Sequence, residues 1–135
     1  MKTLLAKLNY KGQKRIAVIN AEDKFTISLS NELSDVMVDR EIDPRYPYDF
    51  IILFVRSVSE VESFTPIAIH NLLADGTLWL CYPKKTSKKH SSDINRGNGW
   101  KSLNDSGLHG IRMVAIDEDW SAMRFRNVKF IKSTP

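Results

Sequence analysis

The stretch Phe50-Ile51-Ile52-Leu53-Phe54-Val55 constrains this chain more than any other feature. A strand that buries one face alternates apolar and polar residues. An uninterrupted apolar run calls for cover on both faces, as for a strand inside a parallel sheet with helices on either side. Pro47-Tyr48-Asp49 leads into the run. Residues 15–19, 77–82 and 111–116 read the same way, and residues 35–38 form a weaker fifth candidate.

Helix signals lie between these runs. Ser59-Glu60-Val61-Glu62 combines a capping serine with acidic residues that favour the positive end of a helix dipole. Val61, Phe64, Ala68 and Leu72 then recur at the spacing of one buried face, and Asp75-Gly76 is the expected stop. Pro66 predicts a kink, or a restart with Thr65 as cap. Residues 25–33 are ambiguous: Phe25-Thr26-Ile27-Ser28-Leu29 alternates like a strand, but its place after the first strand favours a short helix. Near the end, residues 111–116 and 120–130 are joined only by Asp117-Glu118-Asp119, too short for a parallel crossover, so an antiparallel hairpin is expected.

The chain has 135 residues, 42% of them hydrophobic and 27% charged, which excludes intrinsic disorder and suits one core. The expectation is a single α/β domain over residues 1–135: three layers around a Rossmann-like, mostly parallel sheet with a C-terminal antiparallel hairpin. Cys81 is the only cysteine and His70, His90 and His109 are scattered, so neither a disulfide nor a metal site is expected. Residues 1–8 lack an apolar run of signal-peptide length, and no stretch approaches the roughly 20 apolar residues that span a bilayer. A cytoplasmic protein without membrane contact is the resulting expectation.

This order of elements resembles a shortened class I methyltransferase-type Rossmann sheet. Asp49-Phe50-Ile51-Ile52-Leu53 looks like that fold's fourth strand. Leu72-Leu73-Ala74-Asp75-Gly76-Thr77-Leu78-Trp79-Leu80 looks like the helix end, tight turn and fifth strand that follow. About 30 residues separate the first strand from Phe50, so one βα unit is missing. The chain also resembles a family of short bacterial proteins of unknown function. The matching stretches are Leu78-Trp79-Leu80-Cys81-Tyr82-Pro83-Lys84-Lys85-Thr86-Ser87 and Val114-Ala115-Ile116-Asp117-Glu118-Asp119-Trp120-Ser121-Ala122-Met123-Arg124-Phe125-Arg126, with a looser match over residues 10–21. The resemblance implies a fold and a pair of signature loops.

A sheet that binds a dinucleotide or S-adenosylmethionine needs glycines after its first strand, so that backbone can approach the ligand. Here the turn reads Asn20-Ala21-Glu22-Asp23-Lys24, without glycine, and its two acids would repel a pyrophosphate. A dinucleotide is therefore strongly disfavoured and S-adenosylmethionine, which lacks phosphates, less so; no cofactor is expected. Asp39, 19 positions after Asn20, stands near the spacing of a ribose-binding carboxylate; the competing reading is a solvated turn residue.

Charge then singles out one place. Between Pro83 and Lys101 there are six basic residues (Lys84, Lys85, Lys88, Lys89, Arg96 and Lys101) against one acid, Asp93. The net charge of +4 therefore belongs to this loop, because the rest of the chain sums to −1. If the strand ending at Tyr82 is parallel, the loop leaves the carboxyl edge of the sheet, where open α/β sheets bind ligands. Asp117, Trp120 and Ser121 of the hairpin arrive at that same edge. The candidate ligand site is thus Lys84, Lys85, Ser87, Asp117, Trp120 and Ser121, with Lys88, Lys89 and Arg96 as a basic patch beside it. The competing reading is a solvated loop whose Lys84 or Lys85 pairs with Asp117 or Glu118, a surface contact worth about 0–1 kcal/mol.

No catalytic motif is legible: no histidine is placed by sequence to activate Ser57, Ser87 or Ser121, and Cys81 reads as a packed thiol. Nucleic-acid binding is disfavoured, since the basic loop has only Trp100 nearby and no recognised module appears. The main functional expectation is a small-ligand or anion-binding domain that uses the carboxyl edge of the sheet. The alternatives are an adaptor whose basic loop meets an acidic protein or nucleic acid, and a degenerate methyltransferase.

Overall fold

The apolar run Phe50–Val55 makes up most of β3 (Tyr48–Phe54) and the residue after it, in an interior strand whose side chains feed two cores at once. The computed structural model describes residues 1–131. In chain order the elements are α1 (Lys2–Lys7), β1 (Arg15–Ile19), α2 (Asp23–Glu32), β2 (Met37–Asp39), β3, α3 (Val58–His70), β4 (Leu72–Pro83), α4 (Lys101–Asp105), β5 (Leu108–Ala115) and β6 (Trp120–Asn127). The sheet order is β2-β1-β3-β4-β6-β5. The first four strands are parallel, and β6 runs antiparallel to both β4 and β5. This is the mostly parallel Rossmann-like sheet with a C-terminal hairpin that the sequence predicts.

Ile51, Leu53 and Val55 meet Ala17, Ile19, Leu78 and Leu80 on one face, under Val61 and Ala68 of α3 and Leu103 of α4. Phe50, Ile52 and Phe54 meet Ile16, Val18, Trp79 and Cys81 on the other, under Leu5 of α1, Leu8 just beyond it, and Leu29 of α2. Burying side chains of this size contributes roughly 1.5–3 kcal/mol each, which explains why the run tolerates no polar residue. Trp79 adds a polar tie, donating its indole Nε1–H to the Leu8 carbonyl at 2.8 Å.

Local structure departs from the sequence expectations in physical detail. The cap of α3 is Ser57 rather than Ser59: its Oγ accepts from the Glu60 N–H at 3.1 Å. Helix α3 runs through Pro66 without restarting and ends at His70, because Leu72 already pairs with Tyr48 in the sheet. Asp75 and Gly76 therefore lie inside a bulge of β4, not at a helix stop. Gly76 is required there, as a Cβ would stand 3.0 Å from the Leu73 carbonyl oxygen. The ambiguous segment is helical (α2), and α1 and α4, which the periodicity did not single out, each seat one leucine. Among the described residues no helix is long and apolar enough to cross a membrane.

Candidate functional site

The strand order reverses between β1 and β3: the chain leaves β1 for β2 on one side and returns to β3 on the other. The carboxyl ends of β1 and β3 flank the crevice where such sheets place their ligands. Here that crevice holds the protein's own side chains. Asn20, directly after β1, adopts a left-handed backbone with φ of 61°. Its Nδ2 donates to the Phe54 carbonyl at 2.9 Å and lies 3.4 Å from Glu60 Oε2. Glu60 Oε1 accepts from the Arg56 N–H at 2.6 Å, and Arg56 Nη1 donates back to the Asn20 carbonyl at 3.3 Å. The Arg56 guanidinium then stacks over the Trp120 ring, 5.2 Å from its centroid. A closed circuit of polar groups thus bridges β1, β3 and the start of α3.

Asp39, the carboxylate at ribose spacing, is neither solvated nor directed at a ligand. Its Oδ2 accepts from Arg15 Nε at 2.7 Å and from the Tyr48 hydroxyl. The same hydroxyl accepts from the Asp43 N–H at 3.0 Å, and the Arg15 guanidinium lies 4.3 Å over Tyr46. Burial, reinforced by the Asp39 hydrogen bond, pushes the Tyr48 phenol above its ordinary pKa. The Arg45 backbone N–H and then Arg15 hold Asp43 below its own. This cluster fastens β2 to β1 and to the entry of β3.

The basic loop does leave the carboxyl edge of β4, and the hairpin turn arrives beside it. Ser87 Oγ donates to Asp119 Oδ1 at 2.8 Å, and the Lys84 N–H donates to the Asp119 carbonyl at 2.8 Å. Asp93 receives the Val58 N–H at 2.9 Å, pinning the far side of the loop to α3. The loop is therefore held by Asp119 and Asp93, two acids to which the sequence pattern assigns no anchoring role. A pairing of Lys84 or Lys85 with Asp117 or Glu118 is not among its ion pairs; Lys89 lies 3.9 Å from Asp119 instead. Asp117 caps the hairpin turn, accepting from the N–H groups of Asp119 and Trp120.

The expected site residues divide between two cavities. One, of about 240 Å³, is lined by Tyr82, Lys84, Lys85, Asn95, Arg96 and Ser121, among others. The second, of about 220 Å³, includes Glu22, Phe25, Phe54, Lys89, Asp117 and Trp120. Trp120 and Ser121 are neighbours on β6, so they project to opposite faces of the sheet, and the alternation was available from the sequence. Ser87 anchors the loop, and Lys88 is exposed to solvent. His90 stacks on Trp120 with centroids 5.0 Å apart; its buried Nε2 stands 3.3 Å from Glu22 Oε1 but out of line for a hydrogen bond. Cys81 is fully buried, and that burial pushes its thiol pKa far up, which removes it as a nucleophile.

No family model and no curated protein sequence matches the chain. Solved structures do. The N-methyltransferase NodS from Bradyrhizobium japonicum WM9 superposes with a TM-score of 0.58 at 11% identity, over 93% of each chain. A SAM-dependent methyltransferase from Aquifex aeolicus gives 0.59 at 13% identity, over 92% of this chain and 87% of its own. The pyocyanin biosynthetic protein PhzM gives 0.61 at 10% identity, over 93% of this chain and 53% of its own. At such identities the likeness is one of architecture: the fold resembles that of the SAM-dependent methyltransferases.

Proposed function

We propose that this chain is a degenerate methyltransferase, which keeps the sheet of that fold without its cofactor crevice and binds a small oxyanion in the basic cavity beside β4. The Asn20 circuit carries the first half of this reading. S-adenosylmethionine would enter between the ends of β1 and β3, where the backbone must approach the ligand closely. At that place the Asn20 carboxamide spans the gap to Phe54, and Glu60 and Arg56 close behind it. The one carboxylate at ribose spacing, Asp39, is consumed by Arg15 and Tyr48. These residues do not fit the cofactor, and no transfer step follows from them.

The charge of the neighbouring cavity supports the second half. Lys84, Lys85 and Arg96 line it together with the donors Asn95 and Ser121, and none of its lining residues is acidic. Positive charges and hydroxyl or amide donors converging on about 240 Å³ suit a phosphate or sulfate group. Thermal-shift titration of the full chain with inorganic phosphate, sulfate and S-adenosylmethionine tests both halves. Phosphate or sulfate should raise Tm in the wild type and fail to do so in Lys84→Ala/Arg96→Ala, while S-adenosylmethionine leaves Tm unchanged. A saturable rise with S-adenosylmethionine overturns the first half, and an oxyanion response that survives the double substitution overturns the second.

A further inference from the structure

Strand β5 ends the sheet, and its residues 109–113 are all exposed. Among the described residues nothing pairs with its outer edge, which leaves a row of backbone N–H and C=O groups available. The two faces of that edge differ sharply in chemistry. On one, Arg112 stands directly opposite Arg124, and His109 opposite Arg126. The pairing register shifts between Gly110 and Arg112. That bulge brings His109 and Arg112, three residues apart, onto the same face, since Arg124 and Arg126 share theirs.

Like charges directly opposite each other destabilise a sheet unless something neutralises them. The nearby carboxylate, Asp75, is already taken by Arg126 through two bonds of 2.7 Å. Among the described residues Arg124 has no such partner: its Nε is buried without a hydrogen bond. Burial and then the Arg126 charge hold its guanidinium below its ordinary pKa. Beside the same edge Trp100, Ile111, Met113, Met123 and Phe125 supply the apolar part of a groove of about 860 Å³, whose rim also carries Arg96, Lys101, Asn104 and Asp105.

We infer that β5 accepts an extended segment of a partner protein as a seventh strand, whose residues alternate between acidic and apolar. An added strand repeats every two residues, so one set of its side chains would meet Arg112 and Arg124 and the other set the groove. A second copy of this chain does not satisfy the edge, because β5 carries no acid and self-pairing would bring further arginines together. A single-stranded nucleic acid would neutralise the arginines but would leave the backbone edge and the exposed Ile111 and Met113 unmatched. The inference does not rest on the oxyanion cavity, although Arg96 borders both that cavity and the groove.

The test is titration of the full chain, followed by backbone amide NMR, with a capped octapeptide of alternating glutamate and valine. Binding should perturb the amides of residues 108–115. Methylating alternate peptide nitrogens, or substituting Arg112→Glu, should each weaken binding roughly tenfold or more. A lysine–valine peptide should not bind. Arg112 is exposed, so the variant should retain its fold; should it not, the N-methylated peptide on the wild-type protein still decides. The inference is overturned by no binding at about 1 mM peptide. Equal affinity of the N-methylated peptide also overturns it, as does tighter binding of a thymidine oligonucleotide to the same amides.

Discussion

The Asn20 carboxamide donates to the Phe54 carbonyl at 2.9 Å from a backbone held at φ of 61°, joining the ends of β1 and β3 across the crevice that the fold reserves for a ligand. Glycine meets a left-handed φ without strain, and its lack of a side chain leaves room for a ligand. Asparagine tolerates the same backbone and fills the space. One residue type thus satisfies the turn and spans the two strand ends.

Substitution at this position should invert the usual order of alanine and glycine. Asn20→Gly loses the hydrogen bond to Phe54 but relieves the backbone. Asn20→Ala loses the bond and keeps the strain. Urea denaturation should find Asn20→Ala less stable than Asn20→Gly by about 1 kcal/mol. The opposite order would mean that the turn is not held left-handed.

The Trp79 indole fastens the segment after α1 to the centre of the sheet through the Leu8 carbonyl. Trp79→Phe leaves that carbonyl buried without its donor and opens a small void. A loss of about 1–3 kcal/mol is expected, with faster amide exchange confined first to residues 2–10. Uniform loss of protection across the sheet would contradict a local tie.

Asp75 and Arg126 make the pH-sensitive contact of the hairpin. Two hydrogen bonds from Arg126 hold the Asp75 carboxyl below its ordinary value of 3.8. The folded value lies under the unfolded one, so the pair's contribution is complete above 3.8 and is lost as pH falls through the depressed folded value. Asp75→Asn should therefore be less stable than wild type at neutral pH, and the two should converge once pH falls below the depressed folded value. A difference that persists at low pH would assign the effect to the bulge backbone instead.

Cys81 should stay silent toward thiol reagents. It is fully buried, and burial raises its pKa, so the reactive thiolate is scarce and shielded. Labelling with a disulfide reagent should proceed at the rate of unfolding and accelerate with urea. Rapid labelling of the native protein would contradict the packing of β4.

Much of the fold was legible because burial dictates composition. Phe50 to Val55, alternating between two cores, cannot be polar anywhere, and the short link 117–119 leaves the hairpin no other topology. The candidate site was legible only in part. Lys84, Lys85, Arg96 and Ser121 do line one cavity, and strand alternation could have separated them from Trp120 in advance. The Asn20 circuit could not be read, since it depends on Asn20 meeting Glu60, 40 residues away in the chain, through a side-chain contact that no local pattern encodes. The cap at Ser57 was missed because Ser59 competes for the role two residues later, and only the Glu60 hydrogen bond distinguishes them.

On the proposed reading, the crevice between β1 and β3 is closed to the cofactor of its fold. Isothermal titration of the full chain with S-adenosylmethionine, and with its product S-adenosylhomocysteine, tests it most directly. No saturable heat is expected from either compound at ligand concentrations up to about 1 mM. A one-to-one isotherm with micromolar Kd that Asn20→Ala changes would contradict it.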